Sequence, residues 1–155
     1  MILIATVSKV LSKVFVERIR GAYELALLPS QYGFRSNRST VDAIFILRKI
    51  LEKEKTPLYL GFIDLRAAYD HIPRPALFRC LEVRLGCKKL VAILYTLYKG
   101  TRFCVKGSAR LLDTLVGCRQ GALESPPIFN IYMDTVVRCA RKEVLESFPE
   151  CGARI

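Results

Sequence analysis

The sequence has few of the residues that build metal centres or disulfide scaffolds. It contains one histidine, His71, and six cysteines that are irregularly spaced, with no Cys-x-x-Cys pair. No standard zinc site can be assembled from this set, and a disulfide framework is not expected in a chain large enough to bury its own core. The cysteines are therefore interpreted as small buried residues and free thiols. They are Cys80, Cys87, Cys104, Cys118, Cys139 and Cys151.

No convincing targeting or membrane-spanning segment is expected from the sequence either. The apolar run from Met1 to Val7 is too short for a membrane helix, and no basic residues precede it as they would in a signal peptide. No repeat, low-complexity tract or flexible linker divides the 155 residues. We therefore expect one domain with no membrane partner.

Acidic residues are scarce relative to basic ones. Lys and Arg total 25 against 14 Asp and Glu, which gives a net charge of +11 and a pI near 9.6. Such an excess favours nucleic acid as the partner, with a solvated basic surface as the alternative. Hydrophobic residues make up 52% of the chain, which excludes intrinsic disorder and indicates some apolar surface that packs against another segment.

The first part of the chain has helical periodicity. Apolar residues recur at positions i, i+3, i+4 and i+7 from Val7 to Ile19, which predicts an amphipathic helix with Gly21 as its stop. Residues 29–38 are polar and predict a loop. Residues 39–42 resemble a capping box that opens a helix running to about Lys55.

The central part mixes a strand with helices. Residues 58–64 form a short apolar run ending in an acid, which favours a buried strand. Prolines 73 and 75 are tolerated in the first turn of a helix running towards Leu85, and a further helix is expected over residues 89–98. Asp70 is expected to cap the first of these two helices.

The last part predicts a hairpin and a helix. Residues 102–105 and 111–116 read as two strands joined around Gly107-Ser108. Ser125-Pro126 is a typical N-cap and first-turn pair for a helix through about Leu145. The whole order predicts an α+β chain with a central strand that ends in an acid.

Three clusters could carry chemistry. Asp64 would lie at the end of the buried strand, where a carboxylate can hold a divalent cation for phosphate chemistry, although acids are also common in turns. Arg35 and Arg38 lie on a glycine-containing loop and could contact a triphosphate or nucleic acid, or could be solvated. Gln120 and Gly121 offer an amide and a close backbone approach to a ligand, or simply a turn before a helix.

Taken together, the clusters resemble a known family. The runs QYGFRSNRST (31–40), LGFIDLRAAYD (60–70) and CRQGALESPPIFNIYMD (118–134) resemble, in order and spacing, successive blocks of the reverse transcriptases of LINE-like (non-LTR) retrotransposons. Residues 8–21 resemble the finger helix that precedes these blocks. The resemblance extends from about Ser8 to Asp134 and implies an RNA-directed DNA polymerase.

The fold that the resemblance implies is the partial fingers-and-palm of a right-hand polymerase, of α+β class. The fingers would occupy about residues 1–57, and residues 58–155 would form the palm with some finger elements. The palm sheet would be incomplete, leaving an open edge and an uncovered apolar face.

The resemblance also implies a metal site. Asp64 matches the first metal-binding and catalytic aspartate of the palm, and Leu65 matches the residue whose carbonyl binds the same Mg²⁺ ion. In the family a primer 3′-hydroxyl attacks the α-phosphate of a dNTP on an RNA template, assisted by two metal ions. The family holds those ions with a further Asp-Asp pair, and this sequence has none. The isolated chain is therefore predicted not to polymerise.

Five residues are implied to bind substrate. Arg35 and Arg38 match positions that contact the triphosphate or template. Tyr69 matches the aromatic residue under the sugar of the incoming nucleotide, and Gln120 and Gly121 match residues beside the nucleotide and template.

Glu124 departs from the family, which usually carries a hydrophobic residue there, and beside the template path it would repel phosphate. Three readings remain open: part of an active polymerase, a non-catalytic basic module that binds RNA or DNA, or a decayed transposon remnant. Each would be intracellular, in the nucleus or the cytoplasm.

Overall fold

In a computed structural model, the protein is described over residues 6–104, 106–107 and 110–147. These residues form five helices and a two-stranded sheet. The helices are α1 (Thr6–Ala26), α2 (Thr40–Lys53), α3 (Arg74–Leu85), α4 (Lys88–Tyr98) and α5 (Ser125–Ser147), and the strands are β1 (Arg102–Cys104) and β2 (Leu111–Asp113). Mixed helices with a small sheet agree with the predicted α+β class.

The core lies where α1, α4 and α5 surround α3. Each helix contributes an apolar stripe at helical spacing, and the stripes meet as one cluster. The most enclosed members of this cluster are Ile19, Leu77, Leu81, Val91, Leu94, Tyr98, Ile128 and Ile131. Helix α3 contacts all three of the other core helices, so it fixes the positions of the loops that precede and follow it.

Gly21 does not stop α1, contrary to the prediction. The helix continues to Ala26, because Tyr23, Ala26 and Leu27 are all buried beyond the glycine. A glycine inside a helix costs about 1 kcal/mol relative to alanine. Burial of these three residues outweighs that cost.

Helix α2 starts as predicted but makes little contact with the core. Ser39 Oγ accepts from the backbone N–H of Asp42, whose carboxylate accepts from the Ser39 N–H at 2.8 Å, so the capping box is present. No residue of α2 is buried. Apolar side chains such as Val41 and Phe45 are exposed, so no described element covers this face of the helix.

The strand predicted over residues 58–64 is wrong for this structure. The segment has no regular secondary structure, and Tyr59, Phe62 and Ile63 are exposed. A strand needs a neighbour to pair its backbone N–H and C=O groups, and among the described residues the only ladder joins β1 to β2. The segment has the apolar composition of a strand, but no described residue pairs with its backbone.

The predicted hairpin is confirmed and is shorter than expected. Strands β1 and β2 pair antiparallel, with Arg102 opposite Asp113 and Cys104 opposite Leu111. Val105 and Ser108 lie outside the described residues. The Thr114 N–H donates to the Thr101 carbonyl at 3.0 Å, which extends the pairing towards the core.

The described cysteines are free thiols, of which Cys118 is buried and Cys104 and Cys139 are exposed; Cys151 lies outside the described residues. The described cysteines therefore include both a buried residue and exposed free thiols, and Cys80 and Cys87 are half-buried. Within the described part of the chain, no helix is long and apolar enough to cross a membrane.

Candidate functional site

Two of the sequence clusters meet at Gly117. The Gly117 N–H donates to the Ile72 carbonyl and the Cys118 N–H donates to the Tyr69 carbonyl, both at 2.8 Å. Gly117 has a φ of +81°, and a Cβ at this position would lie 2.8 Å from the Tyr69 carbonyl oxygen. Only glycine allows the two backbones to approach this closely. The segment after Asp64 is thereby held against the loop that carries Gln120.

A side-chain hydrogen bond joins the same two clusters. Gln120 Nε2 donates to Asp70 Oδ1 at 2.7 Å. The prediction that Asp70 caps a helix was wrong, because α3 begins after Pro73 with no side-chain cap. Asp70 instead lies with Gln120 on the wall of a cavity of about 550 Å³ that also includes Arg102.

Arg74 anchors the wall of this cavity. Its guanidinium donates to the carbonyl oxygens of Gly117 at 3.0 Å and Tyr98 at 3.2 Å, and to Thr101 Oγ1 at 3.1 Å. The cation also lies over the Tyr98 ring, 5.1 Å from its centroid. Burial lowers the pKa of Arg74 from its ordinary value. One arginine thus ties α3, α4 and the loop at Gly117 together.

Arg119 is held on several sides. Its Nη2 donates to Ser8 Oγ at 2.6 Å, and its Nη1 lies 3.6 Å from Glu124 Oε1. Its backbone N–H donates to Tyr98 Oη at 3.3 Å, and its carbonyl accepts from Ser125 Oγ at 2.6 Å. These contacts fix the residue that directly precedes Gln120.

The location expected for Glu124 was wrong. Its side chain is fully buried beside Arg119, so it does not face a path for nucleic acid. Neither carboxylate oxygen has a hydrogen-bond partner among the residues that the structure describes, which makes the pair costly compared with a fully hydrogen-bonded one. The departure from the family pattern is therefore a change in the packing behind the loop.

Ser125 does not cap α5 in the predicted way. The helix begins at Ser125, and Pro126 lies in its first turn as expected. The Ser125 hydroxyl, however, donates to the Arg119 carbonyl, and the Glu124 carbonyl accepts from Ile128 N–H at 3.1 Å. The serine therefore joins the loop to the helix.

Tyr69 is half-buried and stacks on Phe129 of α5. The ring centroids are 4.6 Å apart and the planes differ by 15°. Burial raises the pKa of the Tyr69 hydroxyl above its ordinary value. The stacking fixes the ring next to Asp70, on the segment where a nucleotide contact was predicted.

Asp64 and Leu65 lie in the exposed segment without regular structure. Gly121, with a φ of +79°, turns the chain after Gln120. Among the described residues no group of three or more His, Cys, Asp or Glu side chains could hold a metal ion. The structure therefore brings Tyr69, Gln120 and Gly121 to one region, whereas Asp64 belongs to no such group of three within the part of the chain that the structure describes.

The predicted loop over residues 29–38 is present, but its two arginines differ in exposure and in their partners. Arg35 points inward and pairs with Glu24 at 2.8 Å, and its Nη1 donates to the Leu28 carbonyl at 3.0 Å. Arg38 is exposed and lies over the Tyr32 ring at 5.6 Å. Contact with a triphosphate stays a prediction for both, with Arg38 the more accessible cation.

Sequence reasoning missed two buried polar residues of α5. Asn130 Nδ2 donates to Tyr23 Oη at 2.8 Å and to the Gly33 carbonyl at 2.6 Å, which holds the arginine loop. Asp134 accepts from the Leu28 N–H at 2.6 Å, Arg84 Nη2 at 2.9 Å and Arg138 Nε at 2.7 Å. Their polar side chains on the apolar face of α5 were a sequence signal for these contacts, since a buried carboxylate such as Asp134 needs charged partners.

The comparisons with known proteins agree with the resemblance. A family model described as reverse transcriptase (RNA-dependent DNA polymerase) matches residues 1–151. The chain is 28% identical, over 88% of its own length, to a 115 kDa protein in the type-1 retrotransposable element R1DM of Drosophila melanogaster. It is also 28% identical, over 66% of its length, to the COX1/OXI3 intron 2 protein of Saccharomyces cerevisiae.

The chain spans 13% and 12% of the length of these two relatives. No solved structure matches it significantly.

Proposed function

The chain belongs to the reverse transcriptase (RNA-dependent DNA polymerase) family, and from this premise we propose that it is part of a retrotransposon enzyme that transfers dNMP from a dNTP to a primer 3′-hydroxyl, directed by an RNA template. One observation supports this most strongly. The Gly117 junction joins the segment carrying Tyr69 to the loop carrying Gln120 beside a cavity with basic residues.

Each matched residue has a proposed role. Tyr69, held by Phe129, supports the sugar of the incoming nucleotide, and Gln120 and Gly121 lie beside the nucleotide and template. Arg38 is the exposed candidate for a phosphate contact. For Arg35 the pair with Glu24 favours a supporting role, in which it shapes the loop that carries Arg38.

A metal site is proposed only for the complete enzyme. Asp64 would contribute one carboxylate and Leu65 its carbonyl to Mg²⁺, which prefers oxygen ligands in an octahedral arrangement. The described residues do not fit a two-ion site, since no metal-ligating group of three occurs among them. We therefore expect no primer extension from the isolated chain.

A division into fingers, about residues 1–57, and palm with finger elements, residues 58–155, is part of the same proposal. So is a nuclear or cytoplasmic location, where RNA and DNA partners occur. A non-catalytic basic module that binds RNA or DNA is the second candidate function, and it is favoured by the net charge of +11.

Binding to a fluorescently labelled DNA primer annealed to an RNA template tests the proposal. We expect affinity that falls steeply with salt, because basic residues release counterions from phosphates. Gln120→Ala should weaken binding, whereas Lys142→Ala, an exposed residue paired with Glu146 on α5, should not. Salt-dependent binding that is equally insensitive to both substitutions would favour the second candidate, and no binding at all would contradict both.

A further inference from the structure

We propose that Asp70 is a positioning residue for Gln120, an inference that rests on the function proposed above. The Asp70 carboxylate anchors the Nε2 end of the Gln120 carboxamide, so that Oε1 is the end left for a ligand. Neither residue would need to touch the reacting atoms for this effect. This role would add Asp70 to the site, whereas the sequence had predicted it as a helix cap.

The chemistry of the contact fixes the orientation of the amide. Gln120 Nε2 lies 2.7 Å from Asp70 Oδ1, and an ionised carboxylate can only accept hydrogen bonds. If the carboxamide were reversed, two oxygen atoms would face each other at this distance. The Asp70 carboxylate therefore decides which end of the Gln120 carboxamide is nitrogen and which is oxygen.

The backbones on both sides of the contact are fixed. The Asp70 N–H donates to the Ala67 carbonyl at 2.9 Å, and the Cys118 N–H donates to the carbonyl of the neighbouring Tyr69 at 2.8 Å. On the other side, Arg119 is held by Tyr98 and Ser125. Since both side chains start from fixed backbones, the hydrogen bond can set the direction of the amide.

The charge of Asp70 also restricts the ligand. Both side chains are exposed and line the same cavity. A carboxylate beside the amide repels phosphate oxygens, so the ligand atom that meets Oε1 should be a hydrogen-bond donor such as a hydroxyl or N–H group, and not part of a phosphate. An exposed hydrogen bond of this kind adds little to stability, so removing it should change recognition more than folding.

The orientation can be tested without any ligand, because the chain has only two glutamines, Gln31 and Gln120. With ¹⁵N-glutamine labelling, NMR should show two side-chain NH₂ pairs. Asp70→Asn should shift the Gln120 pair and leave the Gln31 pair in place. Asp113→Asn, at an exposed carboxylate on the same cavity wall, should move neither. A Gln120 pair that stays unchanged in Asp70→Asn would overturn the proposal.

A double-mutant cycle on dATP binding tests the consequence. Asp70→Asn and Gln120→Ala should each weaken binding roughly fivefold, the loss of about one hydrogen bond. The double variant should be no weaker than Gln120→Ala alone. Multiplied effects would show that Asp70 acts independently of Gln120 and would contradict the proposal.

Inorganic triphosphate provides the control ligand. Its binding should not weaken in Asp70→Asn, because removing a carboxylate cannot reduce the attraction for an anion. A loss equal to that for dATP would overturn the inferred restriction on the ligand. If the unmodified chain binds neither dATP nor primer–template, the proposed function fails, while the NMR result still decides the positioning role.

Discussion

Replacing Asp134 by alanine should destabilise the protein severely. Its side chain is 1% exposed and pairs with Arg84 and Arg138, which are 23% and 40% exposed. It also accepts from the Leu28 N–H at 2.6 Å. These contacts connect the end of α1, α3 and α5 at one point.

The magnitude follows from what each partner loses. An unpaired buried backbone N–H costs about 1–3 kcal/mol, and breaking a buried ion pair costs about 3–5 kcal/mol in enclosed cases. Arg84 and Arg138 can partly return to water, so we expect a total near the lower end, about 3 kcal/mol. Asp134→Asn keeps one acceptor for Leu28 and should lose less.

Urea unfolding measures this loss. With a slope of about 2 kcal/mol per molar urea, a loss of about 3 kcal/mol lowers the midpoint by roughly 1.5 M. The control is Glu146→Ala, in an exposed pair on the same helix, where we expect at most about 0.5 kcal/mol. A midpoint for Asp134→Ala that matches this control would refute the view that Asp134 holds these elements together.

Three further predictions concern the loop and its support. Gly117→Ala should disrupt the loop, since its Cβ would meet a backbone oxygen at 2.8 Å, whereas Gly21→Ala meets nothing within 4 Å and should raise the melting temperature. Burial raises the pKa of Cys118 to about 12 from 9.0, so the neutral thiol is favoured in the folded protein and the urea midpoint should fall as pH rises from about 9 to 12. The fall should be less steep in Cys118→Ala. An equal fall in both proteins would contradict this role of Cys118. Replacing the Arg119–Glu124 pair together by Met and Leu should leave stability unchanged or raise it, measured by thermal melts; a large loss would show that the pair is net stabilising.

Local sequence signals predicted much of the fold. The capping box at Ser39 was correct because all its partners lie within four residues. Helix α1 followed from the apolar periodicity of its sequence, and the helices over residues 74–85 and 125–147 followed from proline positions. The hairpin around residues 102–113 was also a local pattern.

Signals that depend on distant partners were less successful. The segment over residues 58–64 has strand composition, but pairing depends on a neighbouring strand that the segment itself does not contain. Asp70 and Arg35 were read by their local context, whereas Gln120 and Glu24 decide what they contact. Asp134 pairs with Arg84, which is 50 positions away, and no local pattern predicts that.

The most direct test of the central claim uses the protein translated from the complete open reading frame that contains these 155 codons. Extension of a DNA primer on an RNA template with Mg²⁺ would be measured for that protein and for its Asp64→Ala variant, with Glu52→Ala as an exposed control. We predict dNTP incorporation that Asp64→Ala abolishes and Glu52→Ala retains. Incorporation that survives Asp64→Ala, or none by the unmodified protein, would contradict the assignment of Asp64 to a reverse transcriptase active site.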